Sequence, residues 1–311
     1  MSRLRIGYVG PEKKWESLKW DKFIEYATKR NIDVVHINLD EDFDKQGKFD
    51  IIIHKVTYLM SSPYIEENPK IKNLYEFSKK HPEVILIDNL QSVGKTLDRK
   101  LLDQAMRSIQ WPDDIIVKIP KAKMLEKSDI ESIINSSKEL RFPILAKPKS
   151  SCQTATSTNE EAHTFRIAAK PEDLVGFPTP SLLQEYINHG GIVYKIYTIG
   201  DHLEVTARPS TRDLMENEMI SVDFHSQKPD VENGIWANYQ ISKNENFPIE
   251  DFKKISKAIR STLKMELIGF DILIDSNGSY WIVDINSFPG YKMIPNLPEL
   301  FYEFFVNLVK K

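Results

Sequence analysis

The residues best placed to do chemistry lie near the C-terminus, in the run Phe270, Asp271, Ile272, Leu273, Ile274, Asp275, Ser276, Asn277, Gly278, Ser279, Tyr280, Trp281, Ile282, Val283, Asp284, Ile285, Asn286. Asn-Gly between two apolar runs is a strong hairpin signal, because a two-residue type I′ turn needs positive φ at both positions. With Asn277 and Gly278 as the turn pair, Asp271 and Asp284 lie equally far from it and face each other across the hairpin. Asn286, two residues further on, shares the face of Asp284. Ile272, Ile274, Val283 and Ile285 are then expected on the opposite face, against a core. Opposed carboxylates start only about 5 Å apart and repel. Either the pair belongs to a solvated acidic face with lysine partners, or it holds a hard divalent cation. Mg²⁺ prefers carboxylate and amide oxygens together with water and phosphate, and three converging oxygens favour the cation.

Several cations stand where a strand pattern would otherwise be apolar: Lys55 after Ile51 to His54, Lys147 after Phe142 to Ala146, Lys195 between Tyr194 and Ile196, and Arg208 after Leu203 to Ala207. A single lysine at such a position is usually solvated. Four of them beside a candidate metal hairpin suggest a cleft that binds phosphates, whose charge Mg²⁺ neutralises only in part. A second phosphate signal is weaker. Val84 to Ile87, followed by Asn89, Gly94, Lys95 and Thr96, imitates a phosphate loop, but Asn89 stands where the first glycine belongs. A turn capping the following helix is the better reading of that segment.

These groups must be held by a framework. Leu4 to Val9, Val34 to Ile37, Ile51 to Ile53 and Val84 to Ile87 read as strands, with helices over Trp15 to Arg30, Ile71 to Lys80 and Lys95 to Ile109. Such alternation implies an α/β domain with a largely parallel sheet. Strands follow at Phe142 to Lys147 and Ser181 to Ile187. Between them lies Ser150 to Asn159, a polar run without period that reads as a surface loop or a lid. Strands over Val193 to Ile199, Leu203 to Arg208, Ile268 to Ile274 and Tyr280 to Ile285, and helices over Ile249 to Leu263 and Pro298 to Lys311, complete the chain.

Composition excludes several classes. With 42 Lys and Arg against 45 Asp and Glu, the net charge of −3 provides no bulk basic field for nucleic acid or an anionic membrane. The one cysteine, Cys152, cannot form an internal disulfide or a thiolate metal site by itself. No apolar run suits a signal peptide or a membrane span, so a cytoplasmic location is expected.

The residues resemble the inositol 1,3,4-trisphosphate 5/6-kinase family of ATP-grasp enzymes. The likeness runs through Ile6-Gly7-Tyr8, Glu12-Lys13-Lys14, Asp50 to Lys55, Leu97-Asp98-Arg99, Gln184 to His189, Tyr194-Lys195, Arg208-Pro209-Ser210, Phe270-Asp271-Ile272 and Asp284 to Gly290. Where the family carries a Gly- and His-containing loop after its lysine, this chain has the glycine-free run Ser150 to Asn159.

The resemblance implies an α/β (α+β) ATP-grasp fold: an N-terminal Rossmann-like α/β domain over 1–94, and two mixed α+β domains, 95–187 and 188–311, holding ATP between antiparallel sheets. It implies ATP/ADP contacts from Arg99, Lys147, Gln184, Glu185, Tyr186, Ile187, Lys195 and Ser210, and two Mg²⁺ ions on Asp271, Asp284 and Asn286. Lys14, Lys55, His163, Lys195, Arg208, Asn286 and Gly290 would receive the inositol polyphosphate, with Lys195, Asp284 and Asn286 catalytic. The expected reaction is phosphorylation of inositol 1,3,4-trisphosphate at the 5 or 6 hydroxyl and of inositol 3,4,5,6-tetrakisphosphate at the 1 hydroxyl. Reversal on ADP would give isomerase activity. The chain is expected to act as a monomer, without nucleic-acid or membrane partners. An ATP-grasp carboxylate-amine ligase and a non-catalytic inositol phosphate sensor are the competing readings.

Overall fold

The computed structural model describes residues 3–60, 67–151, 158–215, 217–229, 234–238 and 247–310. Most of the polar run 150–159, Cys152 included, lies outside them. The first part contains β1 (Leu4–Val9), α1 (Glu12–Ser17), α2 (Trp20–Thr28), β2 (Ile32–His36), β3 (Ile51–His54), α3 (Pro69–Lys80) and β4 (Ile85–Ile87). Its four strands form a parallel sheet in the order β2-β1-β3-β4, as the alternation predicts. The single helix expected from Trp15 is two, broken at Lys19, whose φ is 53°. Leu18 and Trp20 are both buried, and a continuous helix would set them about 200° apart.

Next come α4 (Leu90–Leu97), α5 (Arg99–Arg107), β5 (Val117–Lys118), β6 (Ala122–Leu125), α6 (Ile130–Ser137), β7 (Ile144–Pro148), α7 (Asn159–His163), β8 (Thr164–Ala168) and β9 (Ser181–Glu185). The Asn89 side chain accepts from Ser92 N and caps α4. Gly94, Lys95 and Thr96 therefore lie inside a helix, and the phosphate-loop imitation forms no loop. The helix expected over Lys95 to Ile109 is divided at Asp98, whose carboxylate accepts from Lys100 N and Leu101 N and starts α5.

The last part holds β10 (Ile192–Ile199), β11 (His202–Pro209), β12 (Ser221–His225), α8 (Ile249–Leu263), β13 (Ile268–Ile274), β14 (Tyr280–Ser287) and α9 (Leu297–Leu308). Two five-stranded sheets result. One is wholly antiparallel, β12-β8-β7-β9-β6; the other, β11-β10-β13-β14-β5, is antiparallel except for β5. Sheet membership crosses the expected boundary at 187 in both directions. β12 joins the central sheet and β5 the C-terminal one, because neighbours are chosen by edge pairing and not by chain order.

The hairpin sheet buries Ile196, Phe270, Ile272 and Ile285 against Phe252, Ile255 and Ile259 of α8, and this core runs on to Val93 of α4 and Ile52 of β3. On the other face of the first sheet, Trp20 and Phe23 of α2 meet Phe301 and Phe305 of α9, with Trp20 and Phe301 edge to face at 5.3 Å. A buried carboxylate adds a polar clamp. Asp88, just after β4, accepts from Glu266 N at 2.6 Å and Leu267 N at 3.0 Å, tying the first sheet to the start of β13.

Burial raises the Asp88 pKa from 3.8 to about 7, against those two N–H donors and Arg260. Between these values the folded chain keeps a proton that the unfolded chain releases, so stability falls as pH rises through that window and levels off above it. Relative to Asp88→Asn, the protein should lose up to about 4 kcal/mol between pH 4 and 7. Urea unfolding of both variants across that range measures the difference.

Candidate active site

The acidic hairpin reaches its expected pairing by an unexpected route. Gly278 N donates to Asp275 O at 2.9 Å and Asp275 N to Ser279 O at 3.1 Å, so the loop has three residues, with Gly278 at φ 76°. The Asp275 carboxylate accepts from Asn277 N and Ser279 N and fixes the turn. Ile274 then pairs with Tyr280 and Ile272 with Ile282, one step away from the two-residue register. A bulge after Ile282 restores the step, and Asp271 faces Asp284. It also corrects one expectation: Val283 lines the open side with Asp284, while Ile282 takes its place in the core beside Ile285. Bulges commonly re-aim side chains beside active sites.

Strand register builds a charged row from this pair. Lys195 on β10 pairs with Asp271 on β13, which pairs with Asp284 on β14. Lys195 Nζ lies 2.5 Å from Asp271 Oδ2. Burial works against the Lys195 ammonium, yet Asp271 and then Asp284 hold its pKa above the ordinary lysine value. Burial pushes the Asp271 carboxyl upward against the pull of Lys195, and the Asp284 charge adds to the push. Asn286 Nδ2 donates to Asp284 Oδ2 at 3.0 Å, bringing the amide to the same corner.

Two carboxylates and an amide oxygen form the hard donor set that suits Mg²⁺. A divalent cation would also relieve the repulsion that the row contains. Among the described residues no group of three or more His, Cys, Asp or Glu side chains is placed to hold a metal ion. A metal here would therefore need the amide and oxygens of a ligand as well as the two carboxylates.

The central sheet forms the opposite wall. Leu145 pairs with Gln184 and Lys147 with Leu182, so these side chains share the face turned to the hairpin sheet. Lys147 is 6% exposed, its Nζ donates to Gln184 Oε1 at 2.6 Å, and it lies 5.7 Å from the Phe165 ring centre. Arg99 reaches over the same ring at 5.0 Å and donates to Pro148 O, Ser150 O and Ala162 O. Burial, then Arg99, lowers the Lys147 pKa to about 8 despite Asp284 and Asp271 across the cleft. An anion beside this ammonium removes part of that cost. Glu185 spends a carboxylate oxygen on Arg141 N, and the Tyr186 hydroxyl binds Thr211 and Arg212 O. Ser210 Oγ meets His189 Nε2 at 2.8 Å.

At the other end, Lys14 Nζ donates to Phe288 O and Pro289 O, both at 2.8 Å, and Lys55 Nζ to Ser287 O at 2.6 Å. Burial and the neighbouring Lys55 charge hold Lys14 well below the usual lysine range. Arg208 is exposed at the mouth, with Nη2 3.4 Å from the Tyr197 hydroxyl. His163 contacts Ser226 Oγ and Gln227 Nε2. Burial, with Arg99 next, lowers its pKa to about 4, so the ring is neutral near pH 7. Gly290 is exposed just beyond β14.

All residues named from the sequence as site candidates, from Lys14 to Gly290, line one cleft of about 960 Å³ between the two sheets. That volume is large enough for a nucleotide and a second ligand. Sequence reading missed its apolar lining: Leu145, Phe165, Phe224 and Leu273. The alternation Thr164, Phe165, Arg166, Ile167 was a usable strand signal for Phe165.

Comparison with known proteins agrees across nearly the whole chain. The model for the inositol 1,3,4-trisphosphate 5/6-kinase pre-ATP-grasp domain matches residues 5–93, and that for the ATP-grasp domain of the same kinases matches 112–307. Inositol-tetrakisphosphate 1-kinase of Xenopus laevis is 29% identical, over 98% of this chain and 77% of that protein. Inositol-tetrakisphosphate 1-kinase 1 of Arabidopsis thaliana is also 29% identical, over 99% and 97%. Among solved structures, the macrocyclase MdnC of Microcystis aeruginosa, bound with its precursor peptide MdnA, gives a TM-score of 0.59 at 14% identity, over 98% of this chain and 100% of that one. A RimK domain ATP-grasp protein of Sphaerobacter thermophilus gives 0.55 at 11%, over 97% and 99%. At such identities the likeness is one of fold, and that fold is ATP-grasp.

Proposed function

The chain belongs to the inositol 1,3,4-trisphosphate 5/6-kinase family, and from that premise we propose that its cleft passes the γ-phosphoryl group of ATP directly to a ring hydroxyl of an inositol polyphosphate. The protein is an ATP-dependent inositol polyphosphate kinase. The observation that carries the direct-transfer reading is the row Lys195, Asp271, Asp284, facing Lys147 across the cleft with Lys14 and Lys55 at its outer end. Phosphoryl transfer asks mainly for positioning and for compensation of charge, and this set supplies both.

Lys147 and Arg99 hold the phosphate tail of ATP, and backbone groups of Gln184 to Ile187 and Ser210 face the base and sugar. Leu145, Phe165, Leu273 and Val283 exclude water around it. Asp271, Asp284 and Asn286 would hold Mg²⁺, which would supply charge neutralisation on the transferring phosphoryl group. Lys195, kept charged by Asp271, compensates the negative charge that develops during transfer. Lys14, Lys55 and Arg208 bind phosphates of the inositol ring, and neutral His163 would contact it by exchanging Ser226 or Gln227 for the substrate as partner of one ring nitrogen.

Substrates consistent with this arrangement are inositol 1,3,4-trisphosphate, accepting at the 5 or 6 hydroxyl, and inositol 3,4,5,6-tetrakisphosphate, accepting at the 1 hydroxyl. Return of a phosphoryl group to ADP through the same contacts would give isomerase activity. No helix among the described residues is long and apolar enough to cross a membrane, and we read the protein as acting as a monomer. A ligase would need sites for a carboxylate and an amine in place of the basic outer end.

Lys14→Ala tests the substrate end. It should raise KM for the inositol polyphosphate about 10-fold or more, with kcat and KM for ATP little changed, because the lost contact is a charge-assisted one to substrate. Steady-state kinetics with each substrate varied in turn separates these effects.

A further inference from the structure

We propose that Phe288 is a positioning residue that fixes the Lys14 ammonium for the incoming inositol phosphate; the inference rests on the reading of Lys14 as a substrate contact. Extended backbone points successive carbonyls to opposite sides. Just beyond β14, however, Phe288 O and Pro289 O both accept from the one Lys14 Nζ, while Ser287 O accepts from Lys55. The reversal occurs at Phe288, whose φ is 39°. A side chain with a Cβ enters that left-handed region only at a cost, and the following proline disfavours helical conformations in the residue before it.

The surroundings show what sustains this conformation. Phe288 N donates to Leu267 O at 2.7 Å. The Phe288 ring is 3% exposed, packed against Trp15, Tyr291 and Phe301 at centroid distances of 5.9, 6.1 and 6.3 Å. Gly269 makes room for the turn, since a Cβ there would lie 3.1 Å from Pro289 Cγ. The ring also reaches the cation itself, with Lys14 Nζ 4.3 Å from its centre.

Phe288 thus holds α1 through Trp15 and the tip of Lys14 through a π face and a carbonyl. Helix α1 has only six residues, and a lysine side chain loses considerable rotamer freedom when it is fixed. A ring that restricts Lys14 before substrate arrives removes that loss from the binding step. An ordinary core aromatic would stabilise the fold without being tied to Lys14 in particular, and this difference can be measured.

The experiment is a double-mutant cycle of wild type, Phe288→Leu, Lys14→Ala and the double variant, with KM for inositol 1,3,4-trisphosphate, KM for ATP and kcat measured below the melting transitions. Phe288→Leu should raise KM for the inositol phosphate about 5-fold, with kcat and KM for ATP within about twofold. Phe288→Tyr, which keeps the ring, should restore the low KM. In the Lys14→Ala background, Phe288→Leu should change KM no further. Phe288→Met replaces Phe288→Leu in the cycle if the leucine variant does not fold. The proposal is overturned if the ring-less variant leaves KM unchanged, or raises it by the same factor with and without Lys14. If Lys14→Ala itself leaves KM unchanged, the substrate role of Lys14 fails and the proposal with it; a raised KM there with an unaffected Phe288→Leu sinks the positioning role alone.

Discussion

Asp284→Ala should lower kcat on the order of 1000-fold while leaving the melting temperature, measured without divalent cation, unchanged or higher. The two halves of this expectation follow from the same row of charges. Asp284 stands directly opposite Asp271, so in the absence of metal its removal relieves a like-charge contact and costs little stability. Its loss also leaves Asp271, already paired with Lys195 at 2.5 Å, as the one carboxylate of the row. A hard cation would then lack a second anionic oxygen from the protein. The stabilisation that Mg²⁺ and a nucleotide together confer on the wild type should be lost in the variant. Thermal unfolding with and without MgADP, alongside initial rates, reads both effects. Near-normal turnover would show that the hairpin does not hold the metal.

Lys147→Ala should reduce kcat/KM for ATP by roughly 100-fold or more. Lys147 is, with Arg99, the most enclosed cation of the cleft, 6% exposed and bonded to Gln184 Oε1. A surface lysine exchanges one solvated charge for another on binding phosphate and gains little; a desolvated one gains much more. Its pKa of about 8 adds a signature. ATP affinity of the free enzyme should fall as pH rises above 8 and the ammonium loses its proton, and Lys147→Ala should lack that step. Nucleotide titrations from pH 7 to 9 on both proteins would reveal it. Lys147→Met, which keeps the aliphatic stem, controls for lost packing.

Strand alternation and the Asn-Gly signal brought Asp271 opposite Asp284, yet the loop is one residue longer and a bulge at Val283 makes good the difference. Hydrophobic periodicity carries no mark of such a bulge, because Ile282 and Val283 are equally apolar, and so Val283 was expected in the core. The cations Lys147 and Lys195 were legible because a charge inside an apolar strand requires a reason. β12 escaped because it joins its sheet from a segment far away in the chain, and edge pairing of that kind has no local signature, whereas the alternation around Phe165 was legible. The left-handed Phe288 could not be read at all. Nothing in its residue type favours positive φ, and only the contacts around it make that conformation sustainable.

The most direct test of the account is to incubate the protein with Mg²⁺, ATP labelled at the γ-phosphate, and either inositol 1,3,4-trisphosphate or inositol 3,4,5,6-tetrakisphosphate, then separate the products. Direct transfer predicts label in an inositol phosphate carrying one more phosphate than the substrate, formed in equal amount with ADP and independent of added amino acids. Label appearing only as free phosphate, released when a carboxylate and an amine are supplied together, would contradict it.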